Sequence, residues 1–358
     1  MMAAGKLLVI RLSALGDVLF TLPAVHALRL ARPALAIDWL VEERAATLLD
    51  LYEGLSKRLV WRRSALVRSA KNPLRWPAAA GALLRHVGEL RGERYDAVLD
   101  FQGNLKSGVH ELLARGARKL GFDRAHTKEA AWLASRERVT PPPGPLHRIE
   151  QALALARAFA PEIAPEPVAP PLVVPQAAAA FAEQELAALG LAGKPFAILH
   201  PGTSAFGAFK RWRPDRFANV ADLFASRLDL PTLVTFGPGE EALAGKVVAG
   251  TKRGATRMGP RTRSLPELAA LLQRARLVVA SDSAALHLAA FLGTRVVALY
   301  GPKDPRLYGP RFAPLEVVHT WLPCSPCTRR TCPDVLCMEE ISVRQVVEAA
   351  ERLLRAAG

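Results

Sequence analysis

The segment S-D-S-A-A-L-H-L-A-A-F-L-G-T-R-V-V-A-L-Y-G-P, residues 281–302, decides the fold. The apolar run 277–280 before it ends at Ser281-Asp282-Ser283. A helical pattern follows at once, stops at Gly293, and yields to a second apolar run over 295–300. Strand, helix and strand in so short a stretch make a βαβ unit. Asp282 and Ser283 fall where the strand ends and the helix begins. Unbonded N–H groups and the positive end of the helix dipole gather there, which suits a phosphate or a cluster of sugar hydroxyls. On the local pattern alone, either residue is equally a helix cap. His287, one turn along, faces either the core or a ligand.

Working outward, 358 residues are long for one core, so two domains are expected. No run of 18 or more apolar residues spans a membrane. The opening M-M-A-A-G-K leads into an apolar strand with no small-residue cleavage site, so no secretory signal is expected. The net charge is +15, and residues 57–94 hold ten Lys or Arg against two Glu. Such a block implies an anionic partner (nucleic acid, acidic lipid headgroups or a phosphorylated substrate) or else a solvated Arg-rich surface. Trp61 and Trp76 stand in it, but no groove-reading helix or interleaved aromatic module does, so no nucleic acid is expected.

Strands and helices alternate through the chain. The run 7–12 is a buried strand, Ser13 to Asp17 the turn after it, and 18–31 a helix. Further strands fit 36–41, 58–62, 95–101 and 119–122. Helices fit 72–91, 128–136 and 147–160. Residues 161–175 carry six prolines, a stiff linker. Beyond it, helices fit 177–189, 214–228, 240–249, 265–274 and 343–356, and strands 196–200 and 232–236. The alternation predicts doubly wound parallel sheets. The domains expected are 1–165 and 166–340, with a C-terminal helix in 341–358 that is able to pack back on the N-terminal domain.

Functional residues of such sheets collect beyond the carboxyl ends of the strands. In the first half that selects Gly16, Asp17, Gln102 and Lys106, and in the second Thr203, Ser204, Lys210, Glu240, Glu241, Asp282 and Ser283. A carboxylate, hydroxyls, backbone N–H groups and a lysine are what displacement of a phosphate leaving group needs. No Asp-x-Asp pair, Walker loop, G-x-G-x-x-G or G-x-S-x-G is present. The chemistry expected is therefore metal-free, with no cofactor required. The one metal alternative is Cys324-x2-Cys327-x4-Cys332-x4-Cys337, whose later spacings do not fit the paired zinc knuckle. Trp212 is expected to pack in the core.

Several motifs, in order over nearly the whole chain, resemble glycosyltransferase family 9, the lipopolysaccharide heptosyltransferases. They are R-L-S-A-L-G-D-V-L-F-T-L-P-A (11–24), D-F-Q-G-N-L-K-S (100–107), H-P-G-T-S with K-R-W (200–212), S-D-S-A-A-L-H-L-A-A-F-L-G (281–293) and Y-G-P-K-D-P with Y-G-P (300–310). The resemblance implies a GT-B fold, two Rossmann-like domains facing a central cleft. It implies inverting, metal-independent transfer of L-glycero-D-manno-heptose from ADP-heptose, and the first-domain pattern is nearest to the enzyme adding the first heptose to the Kdo of the inner core. Transfer of a later heptose or another activated sugar, or a non-catalytic sugar-nucleotide binder, are the alternatives.

Carried over by motif, Asp17 is the base, and Lys210 holds the diphosphate with Thr203 and Ser204. Asp282 binds heptose hydroxyls, Ser283 and Ala284 offer N–H groups, and His287 contacts the donor. Glu240 and Glu241 bind the ribose, and Thr262 and Arg263 fall at the adenine. Arg62 and Arg63 suit an acceptor's carboxylates or phosphates, because guanidinium matches both. The family usually has Gly where Ala284 stands. The implied partners are Kdo-lipid A and an anionic inner-membrane surface, on whose cytoplasmic face the protein would be peripheral.

Overall fold

The computed structural model describes residues 5–70, 72–327, 329 and 331–356. They form two α/β units that divide at Val173/Val174, in the proline-rich stretch. The first holds β1 (Lys6–Ile10), β2 (Ala36–Glu42), β3 (Lys57–Trp61), β4 (Arg94–Asp100), β5 (Arg115–Phe122) and β6 (Glu137–Val139). All pair in parallel, in the order β3-β2-β1-β4-β5-β6. The second holds β7 (Ala197–His200), β8 (Thr232–Val234), β9 (Thr256–Met258), β10 (Leu277–Ser281), β11 (Val296–Tyr300) and β12 (Leu315–His319), in the order β12-β11-β10-β7-β8-β9. The second order repeats the first. Each unit's first strand lies beside its fourth, and there the winding reverses, which opens a crevice beyond the strand ends.

The central strands β1, β7, β10 and β11 are apolar because helices cover both faces of such a sheet. All five residues of β10 and of β11 are buried. The helix Ala284–Phe291 between them has no polar face, and every residue from Ala285 on is buried; a helix apolar all round belongs inside. It stops where the pattern predicted. Gly293 has φ +78°, its N–H bonds Ala290 O, and Thr294 N–H bonds Ala289 O, both at 3.0 Å. These paired bonds satisfy the last carbonyls, and the left-handed residue between them favours glycine.

In the second unit, Trp212, Phe217, Phe224, Val279, Val297 and Leu299 pack together with Val347 and Leu353 of the helix Val343–Arg355. That helix lies against Pro214–Arg227 and β12, so the element thought able to return to the first domain buries its apolar face within the second unit. Trp212 is in the core as expected, donating its indole N–H to Ile341 O at 3.0 Å.

The helix expected over 128–136 is not formed. Lys128 N–H bonds Gly103 O at 2.8 Å, Glu129 Oε2 accepts from Leu105 N–H at 3.2 Å, and Glu129 and Ala130 both take φ +56°. Only the short turn Ala131–Leu133 is helical. Contact with the loop after β4 outweighs helix propensity. The strands β6 and β9, three residues each, were too short for alternation to reveal. β12 was also unforeseen. The helix Leu15–Ala31 begins three residues earlier than its pattern suggested, which puts Gly16 and Asp17 inside its first turn.

Phe217 is fully buried and meets Trp212 edge to face at 5.1 Å. Phe217→Ala should destabilise the second unit by about 3–5 kcal/mol, read as a lower midpoint in chemical denaturation. An unchanged midpoint would remove Phe217 from the core.

Candidate active site

In the second unit the crevice lies between the ends of β7 and β10, where Ala280 pairs with His200. Asp282 follows β10. Its carboxylate is 13% exposed and takes Lys210 Nζ on Oδ2 at 2.7 Å, while His287 Nε2 lies 3.1 Å from Oδ1. Asp282 is thus not the cap. Ser283 is, and its Oγ accepts from Leu286 N–H at 3.3 Å. Burial alone would raise the pKa of Asp282, but the hydrogen bond from His287 and the Lys210 ammonium bring it well below the usual carboxylate range. Beside this pair stands the first turn of the helix, with the N–H groups of Ala284 and Ala285 outside its internal ladder. A cation, a helix N-terminus and a fixed carboxylate share one corner. That corner can hold an anion and a hydroxyl together.

Lys210 closes the turn Ala205–Lys210. Thr203 Oγ1 donates to Gly207 O at 2.8 Å and fixes that turn, while Ser204 at its start is exposed. Arg211 was not foreseen. It bonds Thr203 O at 2.7 Å and Glu240 Oε1 at 3.1 Å. Glu240 Oε2 accepts from Gly237 N–H at 3.0 Å and presses on Gly202, where an added Cβ would come within 2.0 Å of it. Glu240 therefore braces the loop, and this leaves Glu241, 41% exposed and 3.7 Å from Arg261, as the more open carboxylate. Thr262 is half-buried. Arg263 is tied to Glu267 by its backbone N–H at 2.6 Å and its guanidinium at 3.1 Å. His200 was also missed. Burial lowers its imidazole to about 4, and Nδ1 lies 3.0 Å from Thr235 Oγ1.

In the first unit, Asp17 is the third helical residue after the cap position. Its Oδ2 lies 2.9 Å from Arg11 Nη2 and accepts from Ala14 N–H at 3.4 Å. Its Oδ1 accepts from none of the described residues. Arg11 was not singled out, although a cation closing the apolar run L-L-V-I is its signal; Nη1 also donates to Phe101 O. Gly16 lies one position before Asp17, in the same turn. Gln102 bridges the two central strands, its Oε1 accepting from Leu12 N–H at 2.8 Å and Ser13 N–H at 3.1 Å. Only its amide N–H groups remain for a ligand. Lys106 pairs with Glu42 at 3.1 Å. Arg62 and Arg63 lie exposed just beyond β3.

Beneath this loop Asp100 accepts from Ser107 Oγ at 2.7 Å and from the N–H groups of Gln102 and Gly103. Glu111, fully buried, accepts from Ser135 Oγ at 2.9 Å. Burial, then the charge of Asp100, raises Glu111 to about 8.

The four cysteines are all unbridged and line one cavity of about 380 Å³ with Arg329 and Asp334. Among the described residues no three His, Cys, Asp or Glu side chains are arranged to hold a metal ion. No described helix is long and apolar enough to cross a membrane.

Two parallel α/β units of one strand order, each with polar side chains gathered at its switch point, define the architecture of a nucleotide-sugar transferase of GT-B type. The chain belongs to glycosyltransferase family 9 (heptosyltransferase), whose model matches residues 83–336, and it is a glycosyltransferase. It is 28% identical over 330 residues to lipopolysaccharide heptosyltransferase 1 of Pseudomonas aeruginosa, covering 91% of this chain and 87% of that one. The heptosyltransferase 1 of Escherichia coli K12 is 27% identical over 85% of this chain and 90% of its own. Among solved structures, E. coli heptosyltransferase WaaC with ADP superposes at TM-score 0.76 with 23% identity, over 97% of this chain and 99% of that one. E. coli ADP-heptose lipopolysaccharide heptosyltransferase II also gives 0.76, at 19% identity over 98% and 99%.

Because Glu111 is raised in the folded protein, its contribution is present below the unfolded value near 4.5 and is lost as pH rises towards about 8. Glu111→Gln keeps the acceptor for Ser135. It should match wild type below about pH 4 and be the more stable near about pH 8 in parallel denaturant titrations. Equal pH dependence in both proteins would show that Glu111 is ionised in the fold.

Proposed function

We propose that this chain transfers L-glycero-D-manno-heptose from ADP-heptose to the Kdo of the lipopolysaccharide inner core, with inversion and without a metal ion. The observation that carries this reading is the buried Lys210–Asp282–His287 cluster at a helix N-terminus, on the crevice of the second unit. The relatives matched over most of the chain are named for heptose transfer to lipopolysaccharide. Two structures of one relative were solved with ADP and with ADP-2-deoxy-2-fluoro heptose.

In the reaction proposed, the acceptor hydroxyl attacks the anomeric carbon of the donor. Its proton passes to Asp17 Oδ1, the oxygen left open while Arg11 holds Oδ2. The bond from the anomeric carbon to the phosphate oxygen breaks, and ADP leaves with the electron pair. Lys210 and the N–H groups of Ser283 and Ala284 stabilise the departing phosphate. Asp282 and His287 orient the heptose hydroxyls. Thr203 and Ser204 line the diphosphate, Glu241 takes the ribose, and Thr262 lies towards the adenine. Arg62, Arg63 and Lys106 supply positive charge for the acceptor's carboxylates and phosphates, on the cytoplasmic face of the inner membrane.

Calorimetric titration with ADP tests the donor half. Wild type should saturate and Lys210→Ala should bind at least about tenfold more weakly, one charge-assisted contact being worth that much. Binding of UDP or GDP in place of ADP would discard the heptose donor, and no nucleotide binding at all would favour a non-catalytic family member. Asp17→Asn tests the other half. It should keep ADP affinity and lose about 10²–10⁴-fold in turnover, the usual worth of a general base.

A further inference from the structure

Residues 57–88 contain no Asp or Glu. Arg62, Arg63, Arg68, Arg75 and Arg85 are exposed there, and among the described residues none of the five pairs with a carboxylate. Within this block the helix Trp76–Arg91 buries little of its apolar surface. Only His86 and Leu90 of its sixteen residues are buried, and Ala79, Gly81, Ala82 and Val87 are half-buried. Several bulky residues stay exposed on the face that adjoins the buried one. Trp76, Ala80, Leu83 and Leu84 stand at i, i+4, i+7 and i+8, one face of the helix. Leu84 is 71% exposed, Trp76 59% and Leu83 46%, and Leu74 in the preceding turn is 90% exposed. Scattered apolar residues on a surface are ordinary, but a helical stripe of the largest ones is not. An apolar stripe with arginines around it, and Glu89 near the helix end as the one acid of the helix, matches the boundary between the acyl chains and headgroups of an anionic bilayer.

We propose that the helix Trp76–Arg91 and the turn before it form a membrane-docking face. Leu74, Trp76, Leu83 and Leu84 enter the headgroup–acyl boundary, and Arg68, Arg75 and Arg85 meet the lipid phosphates. The face needs no membrane-crossing helix and does not depend on the transfer reaction proposed above.

The full chain is sedimented with phosphatidylcholine vesicles, with and without phosphatidylglycerol. It should bind only the anionic vesicles and be released by salt. Leu74→Ser with Leu84→Ser, and separately Arg68→Glu with Arg75→Glu, should each weaken binding about tenfold or more with unchanged circular dichroism. A blue shift of tryptophan emission on binding should vanish in Trp76→Phe. The proposal is overturned if the protein stays in solution at low salt, binds both vesicle types alike, or binds as wild type in either double variant. A wild-type dimer that Leu74→Ser with Leu84→Ser dissociates would assign the face to a second copy of the chain, and retention on DNA without vesicle binding would assign it to nucleic acid. Either outcome overturns the proposal.

Discussion

A carboxylate taken out of water costs several kcal/mol unless it is paired and hydrogen-bonded, and the second unit is arranged around meeting that need at Asp282. Lys210 offsets it from the loop after β7 and His287 from the helix after β10. For Nζ to arrive, the turn Ala205–Lys210 must be wound, which Thr203 secures through Gly207. Arg211 then runs the other way to Glu240, whose carboxylate lies against Gly202. The glycine of H-P-G-T-S is thus required by a side chain 38 positions on, as well as by any ligand. Losing one partner would strand another, so the loop keeps its shape without a phosphate. On the function proposed above, a diphosphate entering here would find a cation already in position, which would keep the ordering cost of binding low.

The two sheets share a strand order but secure their switch points differently. In the first, an uncharged amide does it, Gln102 Oε1 accepting from the backbone of Leu12 and Ser13. In the second, an ion pair does it. On the function proposed above, the difference matches what each site would have to leave open. A site that takes up a proton needs a carboxylate with one oxygen anchored and one exposed, and Asp17 is held so by Arg11. A site that receives an anion needs a cation and N–H groups facing outward, so its carboxylate is sequestered instead.

The strands at the switch points were legible because buried parallel strands are written as unbroken apolar runs, and because functional residues follow their carboxyl ends. That logic pointed to Asp17, Lys210 and Asp282, which the structure sets in the segments that follow β1, β7 and β10. It did not reveal which side chains serve as braces. Gln102 and Glu240 carry the same local signature as ligand contacts, and only the distant Leu12 and Arg211 distinguish them. Arg11, Arg211 and Glu111 were passed over because a lone charge near apolar residues reads as a surface residue until its partner across the sheet is known. The helix assigned to 128–136 failed for the same reason, since Gly103 and Leu105 recruit Lys128 and Glu129 from far along the chain.

Ala284, where the family usually has Gly, bears on whether the site can still hold a phosphate. It is the first residue of its helix, with Ser283 as cap. Cβ atoms in a helix tilt towards the N-terminus, so a methyl here leans to the side from which an anion approaches. The N–H groups of the first turn, however, point along the helix axis, while Cβ lies at its rim. The methyl therefore narrows one side of the approach and leaves the axial N–H groups presented. Lys210 reaches the neighbouring Asp282 from the loop after β7. The substitution trims the pocket where the phosphate oxygens would pass and keeps both sources of positive potential that would hold them.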